Sequence, residues 1–294
     1  MAMKLTEHVC RMGNRHFNFF VVGNREAVIV ECGVTGAVAS LYRQWQAMDH
    51  KPRIHLLLAM HAHFDHVCGI PTLQELFPQA AVAASKPAAR VLSKQKILAD
   101  FFEQDARMVD YLVNEGILDE PVDVPAVRSI EVDRTLVEGQ AVEVGDGVSL
   151  EIIEAPGHSP CSLAAYLPSD QVMFLSDAGG FQISDTDIFP IFFQSYPLYI
   201  ETIKRLMGYP TRVLAIPHQR IWSGSEVESF YQRALKSAQD AFEAIRHHID
   251  EGKDEDDLKE ELFYRYYRDD LSIYTTENIG LCIDLLIRRV KECL

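Results

Sequence analysis

Residues 54–69 read Ile-His-Leu-Leu-Leu-Ala-Met-His-Ala-His-Phe-Asp-His-Val-Cys-Gly. The run from Ile54 to Met60 is apolar except for His55, which predicts a buried strand, and it empties into His61, His63, Asp65 and His66. These are four metal-capable side chains within six residues. In the loop at the mouth of a core strand, the backbone can turn neighbouring side chains toward one point, because no regular period forces them onto opposite faces. The stretch has the character of the first half of a two-metal site.

With 294 residues and 48% hydrophobic content, the chain can bury a large core, as one big domain or as one domain with an appendage. Its net charge of −15 repels phosphate backbones and anionic lipid surfaces, so neither nucleic acid nor a membrane is expected as a partner. The N-terminal residues lack an apolar signal core and no later run has the length of a spanning segment, so a soluble, cytoplasmic protein is expected. The six cysteines, at 10, 32, 68, 161, 282 and 293, form no Cys-x-x-Cys pair and are expected as reduced thiols. Cys68 and Cys161 lie near histidines but are expected to be small buried apolar residues.

In chain order, Phe17 to Val22 and Ala27 to Glu31 flank a turn-like cluster and predict a hairpin. A helix is expected from Thr35 to Met48, then the strand at Ile54, then a short helix from Gly69 and Pro71 through Phe77. Ala80 to Ala84 follow as a strand. Lys86 to Gly116 have a helical pattern that suits either core packing or a lid. Ala141 to Val144 and Val148 to Ile153 around Gly145-Asp146-Gly147 predict a second hairpin. Three further strand ends then repeat the opening pattern: Gly157-His158 after Ile153, Ser176-Asp177 after Leu175, and Pro217-His218 after Ile216.

Together, His61-x-His63-x-Asp65-His66, Gly157-His158, Ser176-Asp177 and Pro217-His218 resemble, in order, the metal-ligand motifs of the metallo-β-lactamase fold hydrolases. The resemblance covers about residues 9–220, with 19 residues between His158 and Asp177 and 41 between Asp177 and His218. It implies an α/β fold, the four-layer αβ/βα sandwich. Its domain would span residues 1–222 with a helical insertion at about 86–120, followed by a helical extension at 223–294. Within the superfamily the chain is most similar to the hydroxyacylglutathione-hydrolase-like branch and to thioesterases of the quinolone-signal response type. Departures are Met60 for the common threonine and Gln219 where the family usually carries glycine.

The resemblance implies that His61, His63 and His158 hold one metal, that Asp65, His66 and His218 hold a second, and that Asp177 bridges them. Asp65 and Asp177 are then the catalytic carboxylates. Imidazoles and carboxylates suit Zn, Fe or Mn, and two cations a few ångströms apart need a shared anionic ligand. Two divalent metal ions are therefore expected as cofactors, activating water for attack on a carbonyl. His63 stands where the flavodiiron branch carries glutamate, which argues against redox chemistry.

The stretch Phe181 to Tyr199 holds too many aromatics for a solvated loop, so it is expected either as core or as the wall of an apolar pocket. In the second case Phe181, Phe192, Phe193 and Tyr196 would contact a small acyl or aromatic substrate. Beyond it, Ser223-x-x-Glu226 and Ser225-x-x-Glu228 are capping-box candidates for a helix to about Ile249. Asp254 to Asp257 would open the next helix, and Thr276 would cap the last. Tyr264, Tyr266 and Tyr267 are too closely spaced to share one face, so these helices are expected to cover the site or to form a homodimer surface. The histidines at 8, 16, 50, 55, 247 and 248 are expected in surface or packing roles. Two functions of different class fit: a metal-dependent hydrolase of thioesters, esters or lactones, and a regulatory protein that keeps the fold as a ligand-binding scaffold. A phosphodiesterase or nuclease is disfavoured by the charge and the aromatic loop.

Overall fold

The computed structural model describes residues 2–294 and divides into two compact units. The first comprises residues 1–154, 161–176 and 212–221; the second comprises residues 155–160, 177–211 and 222–294.

The first unit is built on two sheets. One contains β1 (Met3–Lys4), β2 (Val9–Gly13), β3 (Asn18–Val22), β4 (Glu26–Val30), β5 (Arg53–Leu58), β6 (Ala81–Ser85) and β7 (Arg134–Leu136), paired side by side in chain order. Strands β4 to β7 run parallel, with α1 (Thr35–Gln46) crossing from β4 to β5. After β5 come α2 (Phe64–Val67) and α3 (Ile70–Leu76), and α4 (Lys86–Leu92) and α5 (Gln95–Asn114) precede β7. The second sheet runs β8 (Ala141–Gly145), β9 (Val148–Glu154), β10 (Leu163–Leu167) and β11 (Val172–Phe174) as antiparallel neighbours, and the strand Val213–Ala215 pairs parallel to β11.

Alternation along the strands explains the layering. Val28, Val30, Leu56 and Leu58 join Leu150, Ile152, Leu163 and Phe174 in the core between the sheets. Their neighbours Ala27, Ile29 and Leu57 are equally buried on the opposite face. Parallel strands covered on both faces must be apolar almost throughout, which is why β4 and β5 read as continuous hydrophobic runs. His55, the one polar break, is skipped in the pairing of β4 with β5 and bonds the Val144 carbonyl at 2.9 Å. A bulge residue needs no ladder partner and leaves the sheet face free to stay apolar.

The segment with two expectations, 86–116, is packed into this unit. Leu98, Phe102, Met108, Val109 and Leu112 of α5 are buried, and α5 lies on α1 and α2. Asp105, fully buried, accepts from the Thr35 backbone N–H at 3.0 Å and from its hydroxyl at 2.5 Å. Val34, at the N-cap of α1, has no side-chain acceptor to offer, so α5 supplies the missing cap from a distance.

In the second unit, a hairpin of Phe181–Gln182 and Ile188–Phe189 precedes α6 (Tyr196–Met207), α7 (Glu226–Asp250), α8 (Glu255–Tyr266) and α9 (Thr276–Lys291). α7 packs on α6, α8 and α9 through Phe230, Ala234, Ala238, Ala241 and Ile245. Two caps differ from expectation. Ser225 has helical dihedrals and no capping bond, and the turn into α7 is made at Gly224 with φ of +59°. Thr275, rather than Thr276, caps α9 by accepting from the Asn278 N–H. Tyr264 is exposed and Tyr266 buried, as their spacing requires. No helix among the described residues is long and apolar enough to cross a membrane.

Burial raises the Asp105 carboxyl from 3.8 to about 6, against the opposing pull of the two Thr35 hydrogen bonds. The folded chain therefore holds this proton more tightly than the unfolded chain. Stability present below pH 4 is lost as pH rises through 6, by about 3 kcal/mol for a shift of two units. Urea denaturation at pH 4, 5, 6 and 7 should show wild type losing stability relative to Asp105→Asn, by about 3 kcal/mol over that window. A difference independent of pH contradicts this account.

Candidate metal centre

The loop after β5 is tied at both sides before it turns. The Ala59 N–H donates to the Ala83 carbonyl at 2.9 Å, and the Met60 carbonyl accepts from the Leu163 N–H at 2.8 Å. The Ala62 N–H then donates to the Cys161 sulfur at 3.4 Å, giving that thiol a structural role. The chain next enters α2, whose first turn carries Asp65 and whose end carries His66, both buried. His61 Nε2 lies 3.2 Å from His63 Nδ1, and the His61 and His66 rings are 3.9 Å apart.

His218 arrives from the loop after the strand Val213–Ala215. Asn18 fixes that loop on both sides of the histidine: its N–H donates to the Pro217 carbonyl at 2.7 Å, and its amide donates to Ile216 at 2.9 Å and Gln219 at 3.2 Å. The His218 ring then meets His66 edge-on.

The tautomers of these two rings follow from their partners. His218 Nδ1 is 3.0 Å from the His16 carbonyl, which only accepts, and His66 Nδ1 is 2.8 Å from Glu31 Oε2. Both Nδ1 atoms thus carry a proton, and in the neutral tautomer each Nε2 presents its lone pair. They face each other at 3.4 Å, and Asp65 Oδ2 lies 3.7 Å from His66 Nε2 and 3.6 Å from His218 Nε2. Three buried acceptors converge with no donor among them. The three atoms are spaced so that a point between them can come within about 2.1 Å of each, inside the range of Zn–N and Zn–O bonds. The residues fit a divalent metal.

Glu31 was not among the residues marked out by the sequence. It follows directly on β4, is 2% exposed, and its second carboxylate oxygen has no hydrogen-bond partner. Its backbone is left-handed, with φ of +69°. Ser176, which lies 3.3 Å from His61 Nδ1 and immediately precedes Asp177, has φ of +50°, and Gln219, next to His218, has φ of +53°. Strain of this kind persists where the surroundings over-determine it, and three instances adjoin candidate ligands. The φ of Gln219 also accounts for the glycine usual at that position in the resembled family. The available signal for Glu31 was a carboxylate ending an apolar strand.

The second unit carries His158 and Asp177, with His158 Nε2 3.5 Å from Asp177 Oδ2. His158 Nδ1 donates to the Ile191 carbonyl at 2.8 Å, which turns Nε2 toward Asp177. The loop is clamped by the aromatic stretch: Gln194 and Ser195 N–H groups bond the Gly157 carbonyl, and Gln194 Oε1 accepts from the Gly157 N–H. Gly157 has φ of +121°, and a Cβ there would sit 2.3 Å from the Tyr199 Cα. Only glycine fits. Of the aromatics expected to meet a substrate, Phe192 is 0% exposed and packs against Tyr196 and Tyr199, so it offers no surface to a ligand. Phe181 is buried against Tyr274, and Tyr196 stacks on Phe242. Phe193, half-buried, lies 5.3 Å from the His158 ring.

Comparison with known proteins agrees with this architecture. The sequence profile of the metallo-beta-lactamase superfamily matches residues 13–218, well over half of the chain. The chain belongs to the metallo-β-lactamase superfamily. A superfamily protein from Sulfolobus tokodaii is similar in structure, with 18% identity, coverage of 95% of this chain and 93% of that one, and a TM-score of 0.58. The subclass B3 metallo-β-lactamase BJP-1 of Bradyrhizobium japonicum gives 17% identity, coverage of 86% and 96%, and a TM-score of 0.59. The inverting sec-alkylsulfatase Pisa1 from Pseudomonas sp. gives 16% identity, coverage of 98% and 50%, and a TM-score of 0.67. At these identities the likeness is one of fold. A putative diflavin flavoprotein from Synechocystis is 23% identical over 174 residues, which are 59% of this chain, and the match spans about a quarter (25%) of that relative's length. The superfamily fold together with this His/Asp cluster points to divalent metal ions, which the donor set at Asp65, His66 and His218 fits.

Glu31→Gln keeps the shape but weakens the hold on the His66 Nδ1–H. Metal affinity measured by competition with a chromophoric chelator should fall about 10- to 100-fold, the usual effect of removing a partner behind a metal ligand. An unchanged affinity would show that Glu31 does not orient His66.

Proposed function

We propose that the protein is a binuclear metal-dependent hydrolase that cleaves a thioester, ester or lactone. The observation that carries this reading is the convergence of three proton-free acceptors, Asp65 Oδ2, His66 Nε2 and His218 Nε2, in a buried setting. His61, His63 and His158 complete a second set in this proposal, and Asp177 serves both. When bound, the metals supply Lewis acidity and bring the pKa of water near neutrality.

The chain's own contributions follow from its donors and acceptors. Glu31 and the His16 carbonyl keep His66 and His218 in the tautomer that presents Nε2. Asp65 and Asp177 are each 7% exposed, so each carboxylate keeps slight contact with solvent. One of them takes the proton from the attacking water and returns it to the leaving thiolate or alkoxide as the C–S or C–O bond breaks. Phe193, beside the His158 ring, gives an apolar wall that suits an acyl or aryl group.

A regulatory scaffold of the same fold is the second reading. The carboxylates favour the hydrolase, because a protein that only binds a ligand has no use for a bridging acid. The chain's charge of −15 supports a small neutral or cationic substrate over a polyanion.

The deciding experiment is turnover by the metal-loaded protein on a panel of aryl and alkyl thioesters, esters and lactones, with β-lactams, alkyl sulfates and phosphodiesters alongside. Activity on the first three classes should vanish with chelator and return with Zn, Fe or Mn. His66→Ala and Asp177→Asn should each lower kcat by about a thousand-fold or more, the scale of removing a central electrostatic stabiliser. Phe193→Ala should raise KM on aryl thioesters several-fold while changing kcat little. A metal-loaded protein that turns over none of the panel favours the scaffold.

A further inference from the structure

Within the second unit, the turn of the short hairpin, the middle of α7 and the end of α8 enclose a cleft of about 180 Å³. Its basic lining is Arg233, Lys236, Arg265 and Arg268, and its acids are Asp187 and Asp240. Asp187 holds Arg268 at 3.2 Å and Asp240 holds Lys236 at 2.7 Å. Among the described residues, Arg233 and Arg265 have no carboxylate partner. Two uncompensated guanidiniums in one cleft stand out in a chain of net charge −15.

Both are fixed by aromatic rings rather than by acids. Arg233 lies over the Trp222 ring at 4.6 Å, and Arg265 lies over the Tyr266 ring at 5.1 Å. One terminal nitrogen of Arg233 is buried and has no hydrogen-bond partner, and the same is true of the Tyr266 hydroxyl. Burial pushes that phenol up to about 12, so it remains a donor at neutral pH. Buried donors without acceptors are unfavourable unless a ligand supplies the acceptor. A planar guanidinium presents paired N–H groups that match two oxygens of a tetrahedral anion.

We propose that this cleft binds a phosphate-type oxyanion, free or as the phosphoryl group of a small metabolite, with Arg233 as its central ligand and Arg265 and Tyr266 beside it. The volume has room for roughly six waters. That accommodates a phosphoryl group with a few carbons and is smaller than the pockets that enclose drug-sized ligands.

Trp222 is the natural reporter, since the chain has two tryptophans and Trp45→Phe leaves it alone. The full-length, metal-loaded protein in this background is titrated with inorganic phosphate, with glycerol 3-phosphate, and with sodium chloride at matched ionic strength. Saturable change in Trp222 emission is expected with the phosphate probes and not with chloride, together with a rise in Tm. Arg233→Gln should abolish it. Arg265→Gln, which leaves the Arg233–Trp222 contact in place, should weaken it about tenfold. Saturation by inorganic phosphate alone makes the free anion the ligand, and saturation by the ester alone makes it a phosphorylated metabolite. Unchanged emission, or saturation that survives both arginine substitutions and disappears in His66→Ala, overturns the proposal, the latter by placing the anion at the metal centre.

Discussion

Two imidazole nitrogens held face to face at 3.4 Å, each with its proton pinned on the far side of the ring, repel unless something positive lies between them. That constraint organises the first unit. The acceptors can be buried because Glu31 and the His16 carbonyl take the opposite ring edges, and because Asp65 approaches from the first turn of α2. A set assembled this way is matched to a divalent cation. Two buried histidines and a carboxylate thus turn one nitrogen or oxygen each toward a common point.

The fold serves that constraint through backbone that is held where it does not want to be. Glu31, Ser176 and Gln219 adopt left-handed conformations beside candidate ligands, while the other described non-glycine residues of that kind, Asp146, Gln171 and Asp269, lie in turns or at the start of a 3-10 helix away from those ligands. Sheets buried on both faces are stiff enough to impose such conformations, because moving one strand end would open the core between Val30, Leu58 and Leu163. The second unit does the same by other means. Ile191, Gln194 and Ser195 clamp the loop of His158, and Arg289 of α9 in turn donates to the Phe193 carbonyl at 2.8 Å. The aromatic stretch is therefore first a scaffold, with Phe192 in its interior, and Phe193 is the ring left near the histidine.

Much of this was legible in residue order. Apolar runs ending in His or Asp, repeated at four strand ends, marked core strands of both sheets and every candidate ligand, since burial of a strand and exposure of its terminal loop leave direct compositional signals. Short edge strands were not legible: β1, β7 and the strand Phe181–Gln182 have two or three residues each, too few to show a period. The caps of α7 and α9 were misplaced by local pattern, because whether a serine or threonine caps depends on its dihedrals and not on its identity alone. Asp105 shows the same limit at longer range. Its partner is the N-terminus of a helix seventy residues earlier, a relation no window of sequence contains.

By itself, the sequence determined an α/β arrangement through periodicity, and through the motifs at four strand ends and the family they resemble it pointed to the sandwich fold and a His/Asp metal site. The tertiary structure alone decided that His66 and His218 turn their Nε2 atoms toward each other and toward Asp65, that Glu31 stands behind His66, and that Phe192 is closed to any ligand. It also decided that Arg233 and Arg265 share a cleft without matching acids. The physical reason is common to all four: protonation, burial and unpaired charge are properties of what surrounds a side chain, and those surroundings come from segments far apart in the chain.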